Sequence, residues 1–64
     1  MYTMGIDVGS SSSKAVILRA GREVVAEAVV QAGTGSSGPG RVLEEITARS
    51  GLTIQDMDFI LATG

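Results

Sequence analysis

The sequence predicts an α/β fold in which three strands form an antiparallel meander, a helix crosses over the sheet, and a fourth strand returns parallel to an earlier one. Three observations support this prediction. The first half of the 64-residue chain contains short apolar runs that are separated by turn residues. A Gly/Ser/Thr/Pro-rich stretch then leads into apolar residues at helical spacing. The chain closes with one more short apolar run, whose length suits a strand.

The first three predicted strands span residues 2–8, 14–19 and 23–31. Large apolar residues alternate with others in the first strand, and the third is rich in valine. The Ala20-Gly21 pair between the second and third strands is a tight-turn signal. We therefore expect the second and third strands to form a hairpin.

A helix is predicted over residues 39–50, followed by the fourth strand over residues 57–62. Pro39 suits the first turn of a helix, and Gly51 suits the left-handed position just after its end. The apolar residues of the helix recur at roughly helical spacing, and they are Val42, Leu43, Ile46 and Ala48.

Two short-range pairs are also predicted around the helix. Glu45 and Arg49 are four residues apart, so their side chains meet on the helix surface. Thr53 precedes Asp56 by three residues, which is typical of a short capping turn.

The apolar residues of the second strand lie on both of its faces, since Val16 and Leu18 alternate with Ala15 and Ile17. A sheet of this kind needs cover on both sides, and one helix covers only one. The fourth strand is an apolar edge that a neighbour is expected to cover. We therefore expect residues 1–64 to be the N-terminal portion of a subdomain in a larger protein.

The composition excludes several classes of site. The chain has no Cys, so these residues hold no disulfide, thiol nucleophile or iron–sulfur ligand. It has no His, which excludes the usual zinc sites and histidine acid–base pairs. A net charge of −2 gives no electrostatic case for nucleic acid. No apolar run is long enough for a bilayer and no signal peptide is evident, so we expect a cytoplasmic protein without a membrane partner.

Residues 5–14 contain the side chains that predict a phosphate-binding site. An acid ends the first strand, a hydroxyl-rich loop turns the chain, and a lysine starts the next strand. Gly9 lets the backbone approach an oxyanion closely, and Lys14 supplies a point charge for a terminal phosphate. Asp7 is placed to hold the water shell of a Mg²⁺ ion. The hydroxyl donors of this predicted phosphate site are Ser10, Ser11, Ser12 and Ser13.

The residue types alone leave other interpretations of residues 5–14 open. The P-loop pattern Gly-x-x-x-x-Gly-Lys-Ser/Thr is absent, and so is Gly-x-Gly-x-x-Gly after a strand. Aspartate, glycine and serines with a lysine are also a common turn composition, and Lys14 alone is often a solubility charge. Asp7 is the most specific signal, because an unpaired carboxylate inside an apolar strand requires a metal, a donor or solvent.

Residues 5–14 resemble the first phosphate motif of the acetate and sugar kinase, heat-shock-70 and actin ATPases. That motif is an Asp-x-Gly-Ser/Thr core followed by Ser/Thr and a Lys or Arg. The resemblance implies a ribonuclease-H-like fold, that of an actin-like ATPase subdomain, and the predicted strand order agrees with it. It also implies that residues 10–14 contact ATP phosphates and that Asp7 serves the Mg²⁺ side.

Three further stretches are similar to the ATP-dependent activators of 2-hydroxyacyl-CoA dehydratases and the related benzoyl-CoA reductase ATPase subunits. They are residues 32–41, the Met57-Asp58 entry into the last strand, and residues 61–64. The resemblance implies a homodimer with a [4Fe-4S] cluster shared through cysteines. It also implies an acyl-CoA dehydratase partner that receives a low-potential electron driven by ATP hydrolysis. No residue of this chain is a cluster ligand, because it has no cysteine.

Two alternatives share the same first hairpin. A sugar or acetate-type kinase would direct the terminal phosphate to a substrate hydroxyl, and an actin-like assembly protein would use ATP to control polymers. For residues 1–64 alone we expect negligible ATPase activity, because phosphoryl transfer requires groups on both sides of the nucleotide.

Overall fold

The computed structural model describes residues 1–9, 11–31 and 38–63. Its helices and strands occur in the order β1 (Tyr2–Val8), β2 (Ser13–Arg19), β3 (Glu23–Val30), α1 (Gly38–Ser50), a 3₁₀ turn η1 (Ile54–Asp56) and β4 (Phe59–Thr63). Within the described ranges, no helix is both long and apolar enough to cross a bilayer.

The four strands form one sheet in the order β3-β2-β1-β4. The pairs β1–β2 and β2–β3 are antiparallel, and β1–β4 is parallel. This is the predicted meander followed by a crossover helix and a parallel fourth strand, so the predicted fold class is confirmed. One irregularity interrupts β3: Ile17 pairs with Ala26 and Leu18 with Val24, which leaves one extra residue on β3.

The observed boundaries of β1 match the predicted ones, and those of the other strands and of α1 differ by at most two residues. The largest difference is at β4, which begins at Phe59 rather than at residue 57. The residues before it are engaged otherwise: the Met57 amide donates to the Ile54 carbonyl at 3.0 Å and closes η1. Asp58 binds the start of β1, since its amide donates to the Tyr2 carbonyl at 2.8 Å. Its carboxylate accepts the Tyr2 amide at 2.8 Å.

The core lies between α1 and one face of the sheet. Val42 and Ile46, one helical turn apart, are both fully buried. Ala48, which the spacing predicted on the same face, is exposed instead, because it does not continue the row formed by residues 42 and 46. The remaining core residues come from β1, β2 and β3, and they are Met4, Ala15, Ile17 and Ala28.

Contacts at the end of α1 confirm the predicted helix signals. The Arg49 guanidinium donates to the Glu45 carboxylate at 3.0 Å, and it also donates to the Glu27 carbonyl of β3 at 3.3 Å. The helix therefore is tied to the sheet at its last turn. Gly51 follows with a φ of +74°, and its amide donates to the Thr47 carbonyl at 2.9 Å.

The predicted capping turn after the helix is also confirmed. The Asp56 carboxylate accepts the Thr53 backbone amide at 2.8 Å and the Thr53 hydroxyl at 3.2 Å. The Asp56 amide in turn donates to the Thr53 carbonyl at 3.0 Å. These bonds form η1, which leads the chain from the helix into β4.

The turn between β2 and β3 has positive φ at both Ala20 (56°) and Gly21 (76°). Type I′ turns require this at both central positions. Beside the turn, Arg19 and Glu23 form an ion pair, and the hydrogen bond and charge of Glu23 raise the pKa of the Arg19 guanidinium. Gly21 adopts the left-handed conformation at no steric cost, but Ala20 carries a Cβ and is strained there.

Replacing Ala20 with asparagine is expected to stabilise the chain by about 0.5–1 kcal/mol, because asparagine tolerates the left-handed conformation that the turn demands. Urea unfolding followed by circular dichroism measures the change. The matched control, Ala20→Val, places a β-branched residue at the same positive φ and is expected to destabilise. Equal stability of both variants would contradict a strained turn.

The face of the sheet opposite α1 is open. Four of its large apolar side chains are at least half exposed, namely Val24, Val29, Phe59 and Leu61. The expectation that one helix covers only one side of the sheet therefore holds for the described residues. The side chains of Asp7 and Lys14 also lie on this open face.

Candidate functional site

The loop between β1 and β2 is closed by a backbone hydrogen bond. The Gly9 amide donates to the Ser12 carbonyl at 2.7 Å, directly beyond the paired residues Val8 and Ser13. A Cβ atom at Gly9 would lie 3.0 Å from the same carbonyl oxygen. Glycine is thus needed for the loop itself, before any ligand is considered. Ser10, predicted as a phosphate contact, lies outside the described residues.

The strand register brings Asp7 and Lys14 together and separates them from Ser13. Asp7 of β1 and Lys14 of β2 are directly opposite each other, so both side chains lie on the open face. Ser13 precedes Lys14 by one residue, and its side chain lies on the helix side, where it is only 1% exposed. Of the other predicted serines, Ser11 is exposed and Ser12 is half-buried.

A third polar residue, Thr63, joins the site from β4. Thr63 is the parallel partner of Asp7, and its hydroxyl donates to Asp7 Oδ1 at 3.4 Å. Asp7 and Lys14 do not pair with each other, since the ion pairs among the described residues are Arg19–Glu23 and Glu45–Arg49. Both charged groups are exposed to solvent on the same face.

A cavity of about 210 Å³ lies on this face beside the charged residues. Gly5 is one of its lining residues, and the neighbours of Gly5 across the sheet are Val16 on β2 and Leu61 on β4. Since glycine has no side chain, a space opens between these two apolar side chains. The complete lining is Gly5, Ile6, Asp7, Lys14, Val16, Leu61 and Thr63. The cavity therefore has an apolar floor and one charged, hydrogen-bonding end.

The carboxylate of Asp7 suits a magnesium ion better than a metal with many protein ligands. Among the residues that the structure describes, no three His, Cys, Asp or Glu side chains gather into a group that could hold a metal. Magnesium usually keeps several waters and takes one or two carboxylates. Asp7 is an exposed carboxylate with a long hydrogen bond to Thr63, so it fits this water-mediated mode.

Sequence reasoning did not assign Thr63, Leu61 or Val16 to the site. A partial signal existed, because a parallel fourth strand beside β1 brings the carboxyl ends of both strands to the same edge of the sheet. The missing information was the register, which places Thr63 rather than Ala62 beside Asp7. Gly5 stands in the predicted motif, but its place in the lining of the cavity depends on its neighbours across the sheet.

The chain was compared with known proteins. No family model matches it. It is 59% identical over 64 residues to the activator of lactoyl-CoA dehydratase of Anaerotignum propionicum. It is 50% identical to the (R)-2-hydroxyglutaryl-CoA dehydratase activating ATPase of Acidaminococcus fermentans and 47% identical to the 2-hydroxyisocaproyl-CoA dehydratase activator of Clostridioides difficile. Each match covers the whole chain, which spans about a quarter of the length of these relatives.

Solved structures give the same result. The activator of the 2-hydroxyisocaproyl-CoA dehydratase from Clostridium difficile with bound ADPNP superposes with a TM-score of 0.95 at 47% identity. Component A of the (R)-2-hydroxyglutaryl-CoA dehydratase of Acidaminococcus fermentans superposes with a TM-score of 0.93 at 50% identity. Both superpositions cover all of this chain. They cover 24% of the first structure's chain and 25% of the second's. The resemblance to the dehydratase activators, and with it the actin-like ATPase fold, is confirmed.

Proposed function

We propose that this chain is the nucleotide-phosphate-binding part of an ATPase that activates a CoA-dehydratase-type enzyme by ATP-driven electron transfer. The observation that carries the proposal is the pair of exposed, opposite charges at Asp7 and Lys14, beside a tight serine loop. This pair occurs in a chain that matches three activators along its whole length. One matching structure contains ADPNP, which has a triphosphate chain.

Lys14 supplies the charge that the phosphates require. Its ammonium is exposed and has no carboxylate partner among the described residues, so binding an anion breaks no existing ion pair. A desolvated ammonium–phosphate contact is a charge-assisted hydrogen bond, which is stronger than a neutral one. The serine hydroxyls add donors on the loop that Gly9 closes. Phosphate contacts by Gly9 and by Ser10, Ser11, Ser12 and Ser13 remain predictions.

Asp7 is the proposed contact of the protein with the magnesium ion that accompanies the nucleotide. Magnesium bound to the phosphates neutralises part of their charge and orients them. Asp7 is directly opposite Lys14 in the strand register. In the same Mg·ATP complex, Asp7 would therefore contact the hydrated Mg²⁺ ion and Lys14 would contact the phosphates. The Asp7 carboxylate accepts hydrogen bonds from waters of the metal, which requires no further protein ligand.

The remaining parts of the activity are proposed from the resemblance. We propose a homodimer, a cytoplasmic location, an acyl-CoA dehydratase component as partner, and a [4Fe-4S] cluster that supplies the transferred electron. The cluster ligands are not in this sequence, because it has no cysteine. Nothing in the site or in the comparisons favours a sugar or acetate-type kinase or an assembly protein.

The test of the proposal uses the full-length protein, an acyl-CoA dehydratase component and a one-electron reductant such as dithionite. Dehydration of the 2-hydroxyacyl-CoA is expected to appear only when ATP is present, with release of ADP and phosphate. ADPNP serves as the control, because it binds without being hydrolysed at the β–γ bridge and is expected to give no activation. Activation that is equal with and without ATP would overturn the proposal.

A further inference from the structure

We infer that Thr63 is a positioning residue that holds the Asp7 carboxylate in the orientation needed for the magnesium-bound nucleotide. This inference rests on the proposed function and deepens it. It assigns a role to a residue on the fourth strand, far from the serine loop in sequence. The juxtaposition that carries it is the parallel pairing of Asp7 with Thr63 at the charged end of the cavity.

The geometry gives Thr63 a specific atom to act on. Its hydroxyl donates to Oδ1 of Asp7 at 3.4 Å. A carboxylate accepts at two oxygens, so a donor on Oδ1 leaves Oδ2 and the remaining lone pairs for the waters of a metal. Lys14, on the other side of Asp7, is not bonded to it. Thr63 is therefore the side-chain hydrogen-bond partner that the structure gives to Asp7 among the described residues.

The effect expected from such a contact concerns orientation. An aspartate side chain has two rotatable torsion angles, so an exposed carboxylate without a hydrogen-bond partner samples several orientations. Magnesium holds its waters in near-ideal octahedral geometry, so a carboxylate that is already oriented toward those waters loses less freedom when the hydrated metal binds. Hydrogen-bond partners of direct metal ligands strongly affect metal affinity, and a weaker effect of the same sign is expected from the partner of a carboxylate that binds the metal's waters.

A purely structural role for Thr63 is separable from this one. Thr63 is exposed and is the last residue of β4, and it is not part of the buried core. Removing its hydroxyl creates no cavity and leaves no buried polar group unsatisfied. Variants of Thr63 are therefore expected to fold like the unaltered protein, and a change in ligand binding is attributable to the hydroxyl.

The experiment compares Thr63→Val with Thr63→Ser in the full-length protein. Valine keeps the shape of threonine without the hydroxyl, and serine keeps the hydroxyl. Calorimetry measures ATP affinity with Mg²⁺ and in the presence of a chelator. We expect Thr63→Val to weaken the Mg²⁺-dependent affinity by a few-fold, less than the loss of a group that orients a direct metal ligand. Its Mg²⁺-free affinity is expected to be unchanged.

Thr3→Val is the matched control. Thr3 lies on the same face of β1 as Asp7, but at the other end of the β1–β4 pairing, where its partner is Phe59. This variant is expected to bind Mg·ATP like the unaltered protein, and Thr63→Ser is expected to do the same.

Two results would overturn the inference. One is a Thr63→Val protein that binds Mg·ATP normally, and the other is equal weakening by Thr63→Val and Thr63→Ser. The proposed function fails separately, if the unaltered protein shows no Mg²⁺-dependent ATP binding.

Discussion

Replacement of Lys14 by alanine is expected to weaken ATP binding to the full-length protein roughly 10- to 100-fold, because a hydrogen bond to a charged group contributes about 1.5–3 kcal/mol. Lys14 is the charge opposite Asp7 on the open face, and it lines the charged end of the cavity. Its loss leaves the phosphates with neutral donors and the metal. Isothermal titration calorimetry with Mg·ATP measures the change.

Two control variants separate the position of the charge from its mere presence. Arg22 is an exposed cation in the turn at the far end of β2, so Arg22→Ala removes the same net charge away from the site. It is expected to bind ATP normally. Lys14→Arg keeps the charge but replaces a compact ammonium with a planar group, and partial binding is expected.

The Lys14→Ala protein is expected to remain folded. Lys14 is exposed and forms no ion pair with the carboxylates of the described residues, so its removal leaves the core untouched. Unfolding curves that match those of the unaltered protein, together with weak ATP binding, would show a binding defect. Unchanged ATP affinity in the Lys14→Ala protein would remove the phosphate-binding interpretation of this hairpin.

The sequence was sufficient to predict the order and direction of the strands, because those depend on local signals. Valine-rich runs, the Ala20-Gly21 turn and the helix stop at Gly51 are each contained within a few residues. The parallel direction of the last strand follows from the crossover helix between it and the meander. The proximity of Asp7 and Lys14 could also be predicted from the sequence, since each lies one residue away from the loop that joins β1 to β2.

The arrangement of the site depends on information that no local pattern contains. Strand alternation places neighbouring residues on opposite faces of a sheet, so Ser13 and Lys14, the first two residues of β2, have side chains on opposite faces. The structure shows where the alternation begins: Ser13 already belongs to β2 and points to the helix side. The motif alone predicts the same role for Ser13 and Lys14, and the phosphate contact of Ser13 stays a prediction.

Thr63 was missed for a similar reason. Its position beside Asp7 depends on the register between β1 and β4, which are far apart in the chain. The two hydrogen bonds between Tyr2 and Asp58 anchor the start of that register. A shift by one residue would turn the Thr63 side chain to the opposite face and remove it from the cavity.

The substitution with the largest expected effect on stability is Ile17→Ala. Ile17 lies at the centre of the sheet, fully buried, with Met4 and Ala26 as its neighbours on β1 and β3. The core that it joins is small and includes Val42 and Ile46 of α1. Truncating a buried isoleucine costs about 2–5 kcal/mol, from lost burial and from the cavity that remains.

This loss is large compared with the stability that a chain of this size can have. At about 0.05–0.15 kcal/mol per residue, even a complete domain of 64 residues would be stable by only roughly 3–10 kcal/mol. Ile17→Ala is therefore expected to leave residues 1–64 marginally folded or unfolded at 25 °C, as measured by urea titration with circular dichroism.

Ile54→Ala is the matched control, because the same atoms are removed at a residue that is 44% exposed in η1. Its expected loss is smaller, since less area leaves water on folding and the surrounding solvent fills the space. Similar losses from both variants would mean that the face between α1 and the sheet is not the stabilising core. A large loss at Ile17 alone would show that the framework presenting Asp7 and Lys14 depends on packing from the opposite side of the sheet.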